Sequence, residues 1–554
     1  MSVRWISFLS DWRLLAWLVL SCVALVYTVD DGTDAFQHFL QSETYLTTLN
    51  FRAIALSVWD KPLPILVYGV SGLVGGIYGA RLASVSLCVA TAFMMVSLVR
   101  GRVEGARDAP ESSAVLFLLV MPVFLQSFLT MTELIAGFLL AWSLYLYYVK
   151  ERPLAACLVA GFLPMARVES GLFLATLLIF FVVLQTLERQ PHWVRMVVCM
   201  VVLASLPCLL WFSACWAYSG DFFYIAHNGY AFSRPFDAEQ YAVHNGITAL
   251  PSVLTPPALF LTLLGVFSVS RRGLFSRRRD GAFLLLCLLI VLVFLAFTVS
   301  VIAYPRGELH WELLIPVING RAYNVVAPVL AVFACLGVVR LRQLGADVGQ
   351  VWIKGLVERY LLAIWFVGLA LVYLCKKQFS INNSPFSQSV GAYLWLYLAT
   401  LTFAMSAVRF ESVRRHVWRW VTGLIVLSFL AIVPRFYEPT RFSDQNFKLQ
   451  TELTDFVSLH YGGERTLLLQ NFSPSIEYFV GKPLVQAKWQ WPTHFVEEAR
   501  KFDGKVLVMI RTEGEARAPL PVYNAAMLEF VKTLREVRRS VAVSPQGWVL
   551  YEAK

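Results

Sequence analysis

The stretch Leu14–Asp34, LLAWLVLSCVALVYTVDDGTD, decides the fold class. Positions 14–29 carry no charge, and the run then stops at three carboxylates, Asp30, Asp31 and Asp34. A hydrocarbon core about 30 Å thick takes roughly 20 apolar residues in a helix, so 14–29 is the first membrane span. Arg4 and Arg13 precede it, and no small-residue cleavage site follows, because the run ends directly in Asp30 and Asp31. A retained span with its start in the cytoplasm is therefore expected.

The rest of the chain agrees. Over 554 residues, 58% are hydrophobic and 15% charged, with mean hydropathy +0.62. Soluble domains run at roughly 45–50% apolar and about 25% charged, so a soluble globular class is excluded. The net charge of +11 does not indicate nucleic acid, since the basic residues sit in short clusters between apolar runs, where topology determinants lie. All nine cysteines lie in or beside apolar segments, without zinc-ligand spacing, and they are expected as core filler.

Apolar runs follow near 79–99, 113–130, 134–149, 154–166, 170–187, 196–217, 251–270, 282–303, 323–340, 357–375, 388–408 and 418–434, about thirteen spans in all. The runs at 154–166 and 170–187, separated by Ala166-Arg167-Val168-Glu169, read either as two spans or as a re-entrant pair. Lys and Arg gather in RGRVEGAR (100–107), KER (150–152), RRGLFSRRR (271–279), RLR (340–342) and RFESVRRHVWR (409–419). The positive-inside rule puts these loops in the cytoplasm. Loop 30–78, loops 218–250 and 303–322, and the tail then lie on the outer face of the plasma (inner) membrane.

Within the first outer loop, AFQHFLQSETYLTTL (35–49) alternates apolar and polar residues at helical spacing, as an interfacial amphipathic helix does. From 436 the chain changes character: TLLLQ, KVLVMI and WVLYEA read as strands between helical stretches PTHFVEEARKF and NAAMLEFVKTLREV. The expected organisation is a polytopic all-α transmembrane domain, 1–435, followed by a small extracytoplasmic α/β accessory domain, 436–554.

Three acids where a helix leaves the bilayer fit either a solvated turn or a cavity at the interface. The next segment is Val58-Trp59-Asp60-Lys61-Pro62-Leu63-Pro64, followed by the glycine-bearing apolar stretch ILVYGVSGLVGGIYGARLASVSL (65–87). In order and content these elements resemble the GT-C membrane glycosyltransferases, in particular the protein O-mannosyltransferase and lipid A aminoarabinose transferase type. The plan of about a dozen spans, an acidic first outer loop and an outer C-terminal domain is similar too.

The resemblance implies a GT-C fold and an enzyme that transfers one sugar from a polyprenyl-phosphate donor to a lipid, glycan or protein acceptor. On it, Asp30 matches the presumed catalytic base, with Asp31 beside it where Glu is usual. Lys61 matches a donor-phosphate ligand and is flanked by Asp60, although Lys-Pro-Leu-Pro stands in place of the usual Lys-Pro-Pro. Glu133, at the outer end of span three, matches another cavity-facing acid. Arg234, in GDFFYIAHNGYAFSRPF (220–236), and Arg321 with Tyr323, in GRAYNVVAPVLAV (320–332), match further phosphate-contacting positions. Asp60 and Glu133 are then acceptor-positioning candidates.

The chemistry asks for such a set: a base for the acceptor hydroxyl and cations for the departing phosphate. Arginine's fork suits phosphate oxygens, and Lys61, Arg234 and Arg321 are among the few cations expected outside. Arg167 and Glu169 read either as a self-paired turn or as part of the cavity. His227 is not at the family's histidine position, and His38, His244 and His310 have no metal-ligand spacing, so a divalent metal is not expected. The rival classes are a transporter or flippase of lipid-linked sugar, against which the lack of an internal repeat counts, and a glycan polymerase or ligase using a lipid-diphosphate donor.

Overall fold

A computed structural model describes residues 12–27, 32–57, 60–103, 111–188, 192–228, 250–269, 279–297, 300–303, 310–313, 321–346, 351–379, 385–436, 439–470, 485–489, 495–513, 518–519, 525–540 and 546–553. The chain divides into two compact units. One holds Met1–Leu25 with Ser42–Phe436, the other Val26–Gln41 with Tyr437–Lys554, so a short early segment groups with the C-terminal unit as well as the tail.

The first unit is almost entirely helical. The chain opens with α1 (Trp12–Tyr27), whose last two residues group with the second unit, and α2 (Gly32–Thr47), of which residues 32–41 do so too; α3 (Phe51–Leu56) and α4 (Pro62–Arg102) lie in the first. There follow α5 (Glu111–Leu118), α6 (Met121–Gln126), α7 (Thr132–Tyr148), α8 (Pro153–Gly161), α9 (Leu163–Ala166), α10 (Gly171–Glu188) and α11 (Trp193–Ser219). Later come α12 (Pro256–Ser268), α13 (Arg279–Phe297), α14 (Ala327–Ala346), α15 (Val351–Phe379), α16 (Pro385–Arg409) and α17 (Val417–Phe436).

Among the described residues, six helices are long and apolar enough to cross a membrane: Pro62–Arg102, Val168–Glu188, Trp193–Ser219, Ala327–Leu344, Val357–Leu374 and Gly391–Arg409. Five shorter apolar helices accompany them. The described residues do not confirm the expected count of about thirteen, and two of the expected runs are interrupted. The run 113–130 breaks into α5 and α6, with Pro122 in the first turn of α6. The run 282–303 stops as a helix at Phe297, and Ser300–Ala303 (β1) pairs antiparallel with His310–Leu313 (β2). Large apolar side chains such as Ile179, Val202, Leu210, Phe366 and Trp395 stay exposed on the long helices, as surfaces bathed in lipid do.

Helix α4 is not a straight rod. Gly75 and Gly76 leave helical geometry, and Gly76 takes φ 57°, ψ −149°, a region open to glycine alone. A straight helix would hold residues 68 and 84 about 24 Å apart, yet Ser84 Oγ lies 3.4 Å from the Tyr68 hydroxyl oxygen. The helix therefore folds back on itself at the glycine pair. Gly79 lets the two halves touch, since a Cβ there would run into the Ser71 carbonyl oxygen. Gly79→Leu is expected to destabilise the protein by about 1–3 kcal/mol in thermal unfolding in detergent. Leu73→Ala, at an outward position that is 54% exposed, should be near neutral.

In the second unit, α18 (Pro439–Tyr461) leads into β3 (Thr466–Gln470), β4 (Val485–Trp489), α19 (Phe495–Lys501), β5 (Lys505–Glu513), β6 (Ala518–Pro519), α20 (Ala525–Lys532), β7 (Arg535–Arg539) and β8 (Gln546–Glu552). The strand order is β4-β3-β5-β8-β7, with β6 beside β5. β3 runs parallel to β4 and β5, and β8 antiparallel to β5 and β7. Alternation along the strands serves two cores. Leu468, Leu507, Met509, Trp548 and Leu550 pack on Leu449, Leu453 and Val457 of α18. Leu467, Leu469, Val506, Val508 and Ile510 pack on Phe495, Met527 and Val531 of α19 and α20. The helical stretch expected over 524–537 ends at Lys532, because Arg535–Arg539 pairs with β8.

Candidate active site

Two short structures deliver Asp60 and Lys61. Asn50 caps α3, its Oδ1 accepting the Ala53 N–H at 3.0 Å. The Ala55 carbonyl accepts from Trp211 Nε1 at 3.0 Å, which fastens α3 to α11. Ser57 Oγ then accepts the Asp60 N–H at 3.1 Å. Lys61 is extended (φ −76°, ψ 158°) and Pro62 starts α4 at once, as its fixed φ and missing N–H favour. Lys61 thus stands at a helix N-terminus, where partial positive charge already collects and an anion is welcome.

The folded-back α4 also positions the second acid. The Tyr68 hydroxyl donates to the Met131 carbonyl at 2.6 Å, and Ser84 Oγ to the Leu129 carbonyl at 2.6 Å. Both halves of the helix therefore grip the turn that leads into α7, and Glu133 lies in the first turn of α7. Glu133 is 1% exposed. Arg167, at the end of α9, reaches it with Nη1–Oε1 at 2.6 Å, and the same nitrogen donates to Thr132 Oγ1 at 3.1 Å. The other nitrogen, Nη2, meets Glu169 Oε1 at 3.3 Å. A buried carboxylate stripped of such a partner costs about 3–5 kcal/mol, and Arg167 supplies that partner to Glu133.

These groups share one electrostatic neighbourhood. The Lys61 ammonium is lowered from its ordinary 10.5 to about 8, above all because burial strips it of water. The Glu169 and Asp60 carboxylates work against that fall and the Arg167 charge adds to it. Asp60 is fully buried. The Tyr45 hydroxyl is raised by burial and then by the Asp60 carboxylate, so the end of α2 borders the same neighbourhood. Asp60, Lys61 and Glu133 thus belong to one cluster of acids and bases, joined through Arg167 and Glu169.

The other sequence candidates do not add to this described cluster. Asp30, Asp31 and Arg234 lie outside the described residues. Arg321 opens a 3-10 turn, Arg321–Asn324, and its side chain is outside the described set. Tyr323 is 1% exposed, its ring against Phe294 at 4.8 Å. The Asn324 carbonyl oxygen packs onto Gly137, one helical turn beyond Glu133, where a Cβ would not fit. The Asn324 amide donates to Gln126 Oε1. His227 Nδ1 pairs with Asp221 Oδ2 at 2.7 Å, on the exposed side of the turn that follows α11. Among the described residues, no three His, Cys, Asp or Glu side chains form a metal-ion cluster.

No family profile and no curated protein matches the sequence. Solved structures do match in fold. The crystal structure of ArnT from Cupriavidus metallidurans in the apo state is similar at 14% identity and TM-score 0.56, covering 97% of both chains. The crystal structure of ArnT from Cupriavidus metallidurans bound to undecaprenyl phosphate is similar at 12% identity and TM-score 0.55, covering 98% of both. The chain therefore shares the fold of these structures over almost its whole length, with apolar helices and a small C-terminal sheet.

Proposed function

We propose that the protein is an integral membrane glycosyltransferase that moves one sugar from a polyprenyl-phosphate carrier to an acceptor hydroxyl on the extracytoplasmic side. The observation that carries this is Lys61: a half-buried ammonium at a helix N-terminus, beside acids, in a fold shared almost end to end with a protein crystallised with undecaprenyl phosphate.

In this reading the acceptor oxygen attacks the anomeric carbon while the bond from that carbon to the phosphate oxygen breaks. The bonding pair leaves with the phosphate, and the acceptor's proton passes to Asp30, with Asp31 alongside. Inversion at the anomeric carbon follows from a single displacement. Lys61, Arg234 and Arg321, with Tyr323, take the growing charge on the phosphate. Glu133 and Asp60 orient the acceptor by hydrogen bonds. Since side chains neutralise the phosphate, turnover is assigned to the protein and lipid donor without a divalent metal. The amino terminus is placed in the cytoplasm and the C-terminal unit outside.

Purified protein in lipid nanodiscs, given undecaprenyl-phosphate and undecaprenyl-diphosphate sugars in parallel with chelator present, tests the assignment. Release of undecaprenyl phosphate together with a product one sugar heavier by mass spectrometry is the expected result. Turnover of the diphosphate donors alone would make the protein a polymerase or ligase, and translocation of intact donor without cleavage would make it a flippase.

A further inference from the structure

The transfer chemistry above gives Glu169 no task, yet its carboxylate pairs with Arg167 and favours the charged form of Lys61. Arg167 holds two carboxylates on one guanidinium, and the two contacts differ in kind. The contact with Glu133 is short, at 2.6 Å, and reaches a side chain that is 1% exposed. The contact with Glu169 is longer, at 3.3 Å, between side chains 24% and 30% exposed. Glu169 also acts on Lys61, ahead of the adjacent Asp60.

A phosphate monoester arriving beside Arg167 meets carboxylates already paired with that guanidinium, and like charges repel strongly in a poorly solvated place. The acids of the cluster are held differently. Asp60 is fully buried and anchored through its N–H to Ser57, and Glu133 is held in the first turn of α7 by Arg167. Glu169 sits on the 3-10 turn Val168–Ser170, between two short elements and α10. It is the partly open member of the set.

We propose that Glu169 is an internal stand-in for the donor's phosphate. Its carboxylate is held by Arg167 until the phosphate monoester displaces it, which makes Arg167 a further phosphate ligand. The planar fork released by Glu169 is suited to phosphate oxygens, while the other edge keeps Glu133 in place. The exchange keeps Arg167 paired at each stage. Glu169 is a positioning residue that sets donor affinity, and this inference rests on the reading of Lys61 as a phosphate ligand.

The two are separable by experiment. Binding of undecaprenyl phosphate to the full-length protein in detergent is measured by calorimetry, with inorganic phosphate as a competitor. Glu169→Gln removes the competing charge and keeps the shape, and it is expected to tighten binding on the order of 3- to 10-fold. Inorganic phosphate should gain to the same degree, since the exchange concerns the headgroup. Arg167→Lys, which keeps the charge and loses the fork, should weaken both roughly tenfold. If Glu169→Gln fails to fold, Glu169→Ser serves. Unchanged or weaker binding in a folded Glu169 variant overturns the stand-in role, as does a gain for the lipid that inorganic phosphate does not share. Lys61→Ala, run beside them, reports on the parent reading: loss of phosphate binding upholds it whatever the Glu169 variants do.

Discussion

Replacing Lys61 by alanine is expected to lower kcat/KM for sugar transfer by about 10²–10³-fold, the usual weight of one preorganised group that meets developing charge. The side chain stands at the start of α4 with Asp60 and Glu169 as electrostatic neighbours, so its removal leaves acids facing an anionic donor. A pH profile sharpens the test. Burial lowers the ammonium to about 8, so the charge is present below that value and is lost as pH rises through it. For the wild type, kcat/KM should fall on the alkaline side of about pH 8. The profile of kcat should break higher, because bound phosphate favours the charged form. Lys61→Arg, charged throughout, should lose the alkaline limb of kcat/KM while keeping part of the activity. An alkaline limb that survives in Lys61→Arg would assign the titration to another group and remove Lys61 from the phosphate site.

Asp30→Asn should be comparably severe, about 10³-fold in kcat, with protein level and donor binding retained within a factor of two. A positioned general base contributes on the order of 10²–10⁴-fold, and asparagine keeps the shape while it cannot accept the proton. The segment entering this position is anchored. Arg81, 2% exposed, donates to the Leu25 carbonyl at 2.9 Å near the end of α1, and Trp17 Nε1 donates to the Leu118 carbonyl at 3.2 Å. Helix α1 is thus tied to α4 five residues before Asp30, and to α5 further back at Trp17. Single-turnover transfer with preformed donor complex separates chemistry from binding. Full activity in Asp30→Asn with loss in Asp31→Asn would shift the base by one residue, and full activity in both would dismiss a carboxylate base at this helix exit.

What the sequence made legible follows from what its patterns encode. Apolar runs and basic clusters encode membrane residence, and alternating strands in the tail encode a sheet; both were readable. Direction is not encoded in hydropathy: GVSGLVGGIYGARL reads as one apolar stretch, and only the backbone at Gly75 and Gly76 reveals the reversal. Runs also hide their own breaks, as Pro122 does at the start of α6 and the β1 pairing does beyond Phe297. At the site, Asp60, Lys61 and Glu133 stood out by motif. Arg167 did not, because its shortest partner is 34 residues away on α7, while the nearby Glu169 invited a local ion pair. The available signal was the pair of charges between two apolar runs, a costly placement that asks for a partner.

The C-terminal sheet is clad by helices on both of its faces, and that has a bearing on anything this unit meets. With neither broad surface open, recognition is confined to strand rims, loop tips and the outward sides of the cladding helices. One rim is already defended: β7 reads Arg-Glu-Val-Arg-Arg and is largely exposed, a pattern of charge that discourages further strands from docking. At this rim a visiting polymer, whether glycan or peptide, would therefore be read through individual side chains and not by extending the sheet.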